Sequence, residues 1–178
     1  MTLALAPCNT TTRITCIRSA RETDLDRIVE MGRRFLASTS YRDVIADNPS
    51  QMARLATGLL DHAQGTILVA ERVTSPDPLP QVVGMIGLFA FEHPIAGERI
   101  AGELFWWVEP AHRGIGLRLL RAAEQWAHDH GATALQMIAP TPDVERLYER
   151  LGYARVEVHY QRRFSAPTVE VERVEDRS

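Results

Sequence analysis

The chain has 178 residues, 45% of them apolar and 24% charged, which fits one globular domain with its own core. Its net charge of −3 argues against a general nucleic-acid-binding surface and is compatible with a cationic small substrate. No stretch approaches the ~18 uninterrupted apolar residues of a membrane span. The two cysteines, Cys8 and Cys16, lack metal-like spacing, and a reduced, cytoplasmic compartment is expected.

The first third of the chain has the pattern of one strand followed by two helices. Thr23 is a suitable N-cap for the first helix, and Gly32 inside it indicates a close contact or a bend. Pro49 suits the first position of the second helix. The predicted segments are a loose leader at 1–11, a strand at 13–18, and helices at 23–38 and 49–60.

Two strands are predicted on either side of a proline-rich linker. They span residues 65–73 and 81–91, and the linker 74–80 holds three prolines, which is typical of an exposed loop. Gly84 and Gly87 interrupt the second strand, a sign of a bulge or of close packing.

The middle of the chain reads as a strand, a glycine-containing loop and a helix. Branched and aromatic residues predict a strand over 103–108, which Pro110 ends. Residues 111–118 then lead directly into a helix at 116–130, whose first-turn N–H groups suit an anion such as phosphate. The three- and four-residue steps of that helix predict a buried stripe of Leu117, Leu120, Ala123 and Ala127.

After this unit the pattern predicts a strand, a helix and a last strand. They span residues 134–139, 142–151 and 155–164, the last one because its apolar and polar residues alternate. The tail 165–178 is charged and shows no clear period.

Two motifs in this order resemble those of the GNAT superfamily of N-acetyltransferases. The run from Val108 through Arg113, Gly114 and Gly116 is similar to the acetyl-CoA-binding motif of that family. Residues 144–153 are similar to its next motif, a helix with a tyrosine four residues before a glycine. The resemblance implies an α/β fold in the order βααβββαβαβ, with a mixed, mostly antiparallel central sheet flanked by helices, over a domain at 12–164. In that family the strands on either side of the glycine loop splay apart, and acetyl-CoA sits between them.

The glycine loop departs from the family pattern, and two alignments compete. If the loop is aligned with the family motif from its upstream end, it matches from Arg113 onward, except that Arg118 stands where the family has a small residue. Anchored downstream, Gly114 and Gly116 take the second and third glycine places, and Ala111 falls where arginine or glutamine belongs. The loop is then two residues shorter than usual, and its contacts to the pyrophosphate are in question.

The resemblance implies two residues for the chemistry of acyl transfer. A free amine with a pKa near ~10 needs a base at neutral pH, and Glu103 lies on the strand that faces the reaction centre in the family. Tyr148 has the place of a tyrosine near the CoA sulfur, where a phenol can protonate the thiolate. The structural alternatives are a solvated glutamate at a strand start and a core tyrosine on an amphipathic helix.

The resemblance also places the cofactor. A backbone N–H at Trp107 or Val108 would polarise the acetyl carbonyl, and Arg113 would contact phosphate unless it is a solvated rim arginine. Trp106 and Trp107 point to opposite sheet faces, so at most one of them lines a pocket. The predicted cofactor-binding residues are Trp107, Val108, Arg113, Gly114, Ile115, Gly116, Leu117 and Arg118.

Two classes of function therefore follow. The first is an acetyl-CoA-dependent N-acetyltransferase, in which a small-molecule or peptide amine attacks the thioester directly, with acetyl-CoA as co-substrate. The second is a non-catalytic GNAT-fold binding module with a weakened CoA site. Neither requires a metal, a nucleic acid or a membrane, and a homodimer is left open.

Overall fold

The computed structural model describes residues 13–74 and 80–162, and in them five strands form one sheet in sequential order. β1 to β4 pair antiparallel, and β5 lies parallel to β4. The strands are β1 Arg13–Ser19, β2 Gly65–Thr74, β3 Gln81–Glu92, β4 Arg99–Val108 and β5 Ala134–Gln136. The helices are α1 Leu25–Ser38, α2 Pro49–Asp61, α3 Gly116–Asp129 and α4 Pro142–Arg150. The α1–α2 pair packs on one face of the sheet and α3 packs on the other, which confirms the predicted fold class. The predicted leader at 1–11 and the tail at 165–178 lie outside the described residues.

The two N-terminal helices begin differently. The prediction of Thr23 as N-cap was wrong, because a 3-10 turn, Glu22–Asp24, precedes α1. The Asp24 carboxylate accepts hydrogen bonds there from the Arg21 N–H at 2.8 Å and from Arg18 at 2.7 Å. The start of α2 agrees with the sequence, since the Asn48 side chain accepts the Gln51 N–H at 3.0 Å.

β4 is longer than predicted and contains a bulge. It begins at Arg99, and Phe105 lies opposite Gly87 whereas Glu103 lies opposite Leu88. Leu104 is therefore an extra residue in β4. The Phe105 ring lies directly over Gly87, in the space that a side chain there would need. The expectation of a bulge or close packing at this glycine is confirmed, since both are present.

β5 is shorter than predicted, and this opens a gap in the sheet. The predicted strand 134–139 ends at Gln136, and β5 pairs with β4 only along Ile100–Gly102. From Glu103 onward, β4 has no strand partner on that side within the described part of the chain. The two parallel neighbours thus separate where the site residues begin.

The buried face of α3 differs from the predicted stripe at one position. Leu120, Ala123 and Ala127 are buried as expected, but Leu117 is 41% exposed and Leu119 is fully buried in its place. The helix presents Gly116 to the sheet, so its next residue points about 100° away around the axis.

The predicted last strand at 155–164 was wrong for its described part. Residues 154–162 form neither strand nor helix, and every one of them is exposed.

Candidate active site

Glu103 and Tyr148 meet at the backbone of a single residue, Ile138, where β4 and β5 separate. The Ile138 N–H donates to Glu103 Oε2 at 3.0 Å, and the Tyr148 hydroxyl donates to the Ile138 carbonyl at 3.3 Å. Because β5 has ended at Gln136, no sheet ladder satisfies these two backbone groups, and the two side chains do so instead. One residue on β4 and one on α4 are thereby brought together beside the gap.

The same two side chains line a cavity of about 80 Å³ at this place. Its walls come from α1, the 3-10 turn that follows α1, β4, and the chain from Ile138 into α4. Glu103 is the one carboxylate among its lining residues. The lining residues are Phe35, Tyr41, Glu103, Leu104, Trp106, Ile138, Pro140, Val144 and Tyr148.

Glu103 is a buried carboxyl group, not a solvated one at a strand start. Its side chain is enclosed in mid-strand, and only 9% of the residue is exposed. Burial raises the pKa of Glu103 to about 7, although the hydrogen bond from the Ile138 N–H acts in the opposite direction. A carboxyl group with this pKa is partly ionised at neutral pH, as a general base needs to be.

Tyr148 combines packing with a polar contact at the cavity. It is 6% exposed, and its ring stacks on Trp106 with 6.2 Å between centroids. Burial, followed by the nearby Glu103 and Tyr153, raises the pKa of Tyr148 well above its ordinary value. The group therefore remains a neutral phenol that can donate a proton, and the predicted core role and cavity role coexist.

The backbone of β4 distinguishes between the two predicted carbonyl-polarising donors. The Glu109 N–H donates to the Val83 carbonyl of β3 at 2.9 Å, and N–H direction alternates along an antiparallel pair. The Trp107 N–H therefore points to β3, whereas the Val108 N–H points to the open edge. The Trp107 side chain packs into the core under α1, with its ring 6.5 Å from that of Phe35.

The glycine loop forms a 3-10 turn, Pro110–Ile115, that runs into α3 without a break. The His112 N–H bonds to the Glu109 carbonyl at 2.8 Å, and the Gly116 N–H bonds to the Arg113 carbonyl. Pro110 has no N–H at all. Several amides expected to hold an anion are thus used within the turn.

The two loop glycines differ in what the fold requires of them. A Cβ at Gly116 would lie 3.2 Å from the Trp106 ring, so this glycine makes room for that side chain. A Cβ at Gly114 would meet nothing within 4 Å, and Gly114 does not have a positive φ. The folded chain gives no packing or backbone reason for glycine at 114, and a residue without a side chain there would let a ligand approach the backbone closely.

The remaining loop side chains point in several directions. Arg113 and Leu117 are exposed, and Ile115 packs on the core between α3 and the sheet. Arg118 donates to the Thr15 carbonyl at 3.0 Å, which joins α3 to β1. Of the two predicted loop arginines, Arg113 is therefore the one directed to solvent.

Sequence reasoning missed most of the cavity wall. Phe35 and Tyr41, whose ring centroids are 5.7 Å apart, come from α1 and the turn after it. The helical pattern places Phe35 on the inner side of α1, but no local pattern marks either residue as part of a cavity. Strand alternation did place Trp106 and Trp107 on opposite faces, and the one that lines the cavity is Trp106. Ile138 contributes its backbone, which composition does not reveal.

Within residues 13–74 and 80–162, no cluster of three or more His, Cys, Asp or Glu could hold a metal ion. In the same residues, no helix has the length and apolar character needed to cross a membrane.

Comparison with known proteins identifies the family. The model of the acetyltransferase (GNAT) family matches residues 34–153, and the chain belongs to this family. A search of the curated proteins finds no match.

Among solved structures, a transcriptional regulator from Bacillus halodurans C-125 is 22% identical, with a TM-score of 0.67 over 85% of this chain and all of that one. The aminoglycoside N-acetyltransferase AAC(6')-Iy in complex with CoA is 14% identical, with a TM-score of 0.66 over 91% of this chain and 100% of that chain. An aminoglycoside 6'-N-acetyltransferase from Acinetobacter haemolyticus is 20% identical, with a TM-score of 0.61 over 84% of this chain and 99% of that chain. At these identities the likeness is one of fold.

Proposed function

We propose that the protein transfers an acetyl group from acetyl-CoA to an amine by direct attack on the thioester. The observation that carries the proposal is the meeting of Glu103 and Tyr148 at Ile138, beside the gap between β4 and β5. A buried carboxyl group with a pKa of about 7 and a neutral phenol are the base and the acid that this reaction needs.

Each residue has a defined part in the proposed reaction. The amine nitrogen attacks the carbonyl carbon while Glu103 accepts the proton that the nitrogen loses. The Val108 N–H, which faces the open edge, stabilises the charge that develops on the carbonyl oxygen. The C–S bond then breaks, and Tyr148 protonates the departing thiolate. The products are an acetylated amine and CoA.

The loop supports binding of the cofactor with fewer amide contacts than a fully open turn would give. The unneeded glycine at 114 and the solvent-facing Arg113 suit a phosphate group, whereas the 3-10 turn occupies several of the N–H groups. We therefore expect a weak pyrophosphate site in which Arg113 contributes most of the charge. Arg113→Gln should raise the KM for acetyl-CoA more than it lowers kcat.

The wall of the cavity favours one class of acceptor. Phe35, Tyr41, Leu104 and Val144 surround a single carboxylate. A polycation would leave most of its charges without a partner there, whereas an amine on an apolar or aromatic group would be buried favourably. The proposed acceptors are monoamines with an apolar body, either small molecules or peptide N-termini.

The test is release of free thiol from acetyl-CoA with a panel of amines, together with calorimetry of acetyl-CoA binding. Glu103→Gln and Tyr148→Phe should each lower turnover by ~10² to 10⁴ and leave acetyl-CoA affinity nearly unchanged. The acid limb of the pH–rate profile should vanish in Glu103→Gln. The sequence contains no lysine, so acetylation of the protein's own ε-amines adds no background.

Tyr153→Phe is the matched control for this test. The Tyr153 hydroxyl donates to Glu124 at 2.8 Å, and Tyr153 is not among the residues lining the cavity. Its loss should lower turnover far less than the loss of the Tyr148 hydroxyl, although Tyr153 contributes to the raised pKa of Tyr148. A full-rate Tyr148→Phe protein with an unchanged pH profile would remove the acid role of that residue.

One observation favours a second candidate, a GNAT-fold module without catalysis. The amides of the glycine loop are partly satisfied within the 3-10 turn, which weakens the expected anion site. Absence of acetyl-CoA binding at millimolar ligand would support this module and contradict the enzyme.

A further inference from the structure

Glu109 is a buried carboxylate at the junction between β4 and the glycine loop. Only 8% of the residue is exposed, and it is not among the described residues that line the cavity. Burying a charge is costly unless the charge is paired and hydrogen-bonded. An apolar residue of similar size often packs in such a place at no cost to stability, so the charge here needs a reason other than stability.

Two arginines of α1 pair with this carboxylate. Glu109 Oε1 accepts hydrogen bonds from Arg27 at 2.7 Å and from Arg34 at 3.0 Å. Glu30 lies between the two arginines on α1 and accepts a hydrogen bond from each of them. Arg27 also donates through Nε to the Val82 carbonyl of β3 at 3.0 Å. We call Arg27, Glu30, Arg34 and Glu109 the ion cluster.

The ion cluster holds its two guanidinium groups in a defined direction. Residues 27, 30 and 34 are three and four positions apart, so they lie on one face of α1. Because Glu30 binds both arginines, neither guanidinium group is free to turn away from Glu109. The two positive and two negative charges balance, and the ion cluster therefore fixes the end of β4 against α1 without a surplus charge.

The backbone of Glu109 is held as closely as its side chain. Its N–H donates to the Val83 carbonyl of β3 at 2.9 Å, and its own carbonyl accepts the His112 N–H at 2.8 Å. Pro110 follows directly, and its ring fixes the backbone φ angle at the start of the loop. Glu109 is thus held by α1, by β3 and by the glycine loop at the same time.

This residue directly follows Val108, whose N–H is the proposed donor to the acetyl carbonyl. That N–H faces the open edge of β4, so no ladder bond within the described residues fixes its direction. Its direction depends on Trp107, which is packed in the core, and on Glu109. On α1, Arg34 is followed by Phe35 of the cavity wall. The ion cluster therefore also sets the position of that wall relative to the donor N–H.

We propose that Glu109 is a positioning residue, which through Arg27 and Arg34 holds the Val108 N–H where charge develops on the carbonyl oxygen. The part of Val108 rests on the proposed function, whereas the contacts of Glu109 do not. A donor aimed at a developing charge acts in the transition state and not in the ground state. A small displacement of Val108 therefore lowers kcat and leaves the binding of acetyl-CoA unchanged.

The first experiment measures kcat and the KM for acetyl-CoA in two variants of the ion cluster. Glu109→Gln should lower kcat by ~10- to 10²-fold and leave the KM for acetyl-CoA within about 3-fold. Arg34→Gln should lower kcat by less, because Arg27 still pairs with Glu109. Arg34→Gln should have little further effect in the Glu109→Gln background, since both changes act through one contact. Arg34→Lys keeps the charge and should restore part of the rate.

Arg33→Gln is the matched control. Arg33 is the neighbour of Arg34 on α1, but it pairs with Asp47 at 2.8 Å and its side chain is 56% exposed. Its loss should leave kcat unchanged. The Arg34 side chain is 50% exposed, so Arg34→Gln removes a contact of the ion cluster without opening the core. It decides the proposal if Glu109→Gln does not fold.

Hydrogen exchange tests the hold on Glu109 without acetyl transfer. The amides of Glu109 and His112 should exchange faster in Glu109→Gln and Arg34→Gln than in Arg33→Gln. Unchanged exchange in both cluster variants, or full kcat in both, would overturn the proposal. A raised KM for acetyl-CoA at unchanged kcat would overturn it as well, because it would place Glu109 in cofactor binding. A wild-type chain that acetylates no amine, yet shows the expected exchange, would contradict the proposed function and support the hold on Glu109.

Discussion

At Glu103 two effects shift the pKa of one carboxyl group in opposite directions. Burial disfavours the charge, and the Ile138 N–H stabilises it, with burial the larger effect. The sequence supplied the residue type and its place on a strand, but neither effect could be predicted from it. The partner amide belongs to a residue 35 positions further along the chain, and it is available only because β5 ends early.

This raised pKa has a consequence for stability. The ordinary pKa of 4.5 applies to the unfolded chain, and Glu103 in the folded state has a pKa of about 7. Between these values the folded state binds more protons than the unfolded state, so stability falls as pH rises, by about 3 kcal/mol at most. Glu103→Gln should remove this slope in urea unfolding measured from pH 4.5 to 7. An equally steep slope in the variant would assign the effect to other groups.

At the scale of elements, the bulge in β4 determines how the site strand is presented. The extra residue Leu104 lies between the buried Glu103 and the partly buried Phe105, and the Phe105 ring occupies the space over Gly87. Glycine within a strand indicated this arrangement from sequence alone. The position of the bulge in β4 could not be predicted from the sequence, because it depends on which residue of β3 faces which residue of β4.

Gly87 therefore offers a sharp test of packing. Gly87→Ala should destabilise the fold by about 1 to 3 kcal/mol, because the Phe105 ring must move. Gly58→Ala is the matched control, since on α2 a Cβ at Gly58 meets nothing within 4 Å. That change should stabilise the helix by roughly 0.5 to 1 kcal/mol. Equal shifts in the urea midpoint for both variants would contradict this description of β4.

At the scale of the whole molecule, the family and the order of its first nine elements could be predicted from two spaced motifs and the local periodicities. The last predicted strand is absent from the described residues. A strand forms only against a partner edge, and the alternation of Val156, Val158 and Tyr160 does not indicate which edge that would be. The acceptor site was expected between the first two helices and the end of the chain, but Phe35 and Tyr41 could not be named, since they reach the site through packing between distant segments. Local patterns thus predicted the helices and strands, whereas contacts between residues far apart in the sequence could not be predicted from them.

The stacking of Trp106 on Tyr148 gives the protein a built-in optical probe. Of its three tryptophans, Trp106 lines the cavity, Trp107 is buried under α1, and Trp126 stacks on His130 at 4.2 Å. Indole emission changes with the polarity of the surroundings, so acetyl-CoA entering the gap should change the fluorescence of Trp106 alone. Trp106→Phe should abolish the signal, while Trp126→Phe should leave it intact. A titration followed by this emission would report occupancy of the gap before any acceptor amine is known.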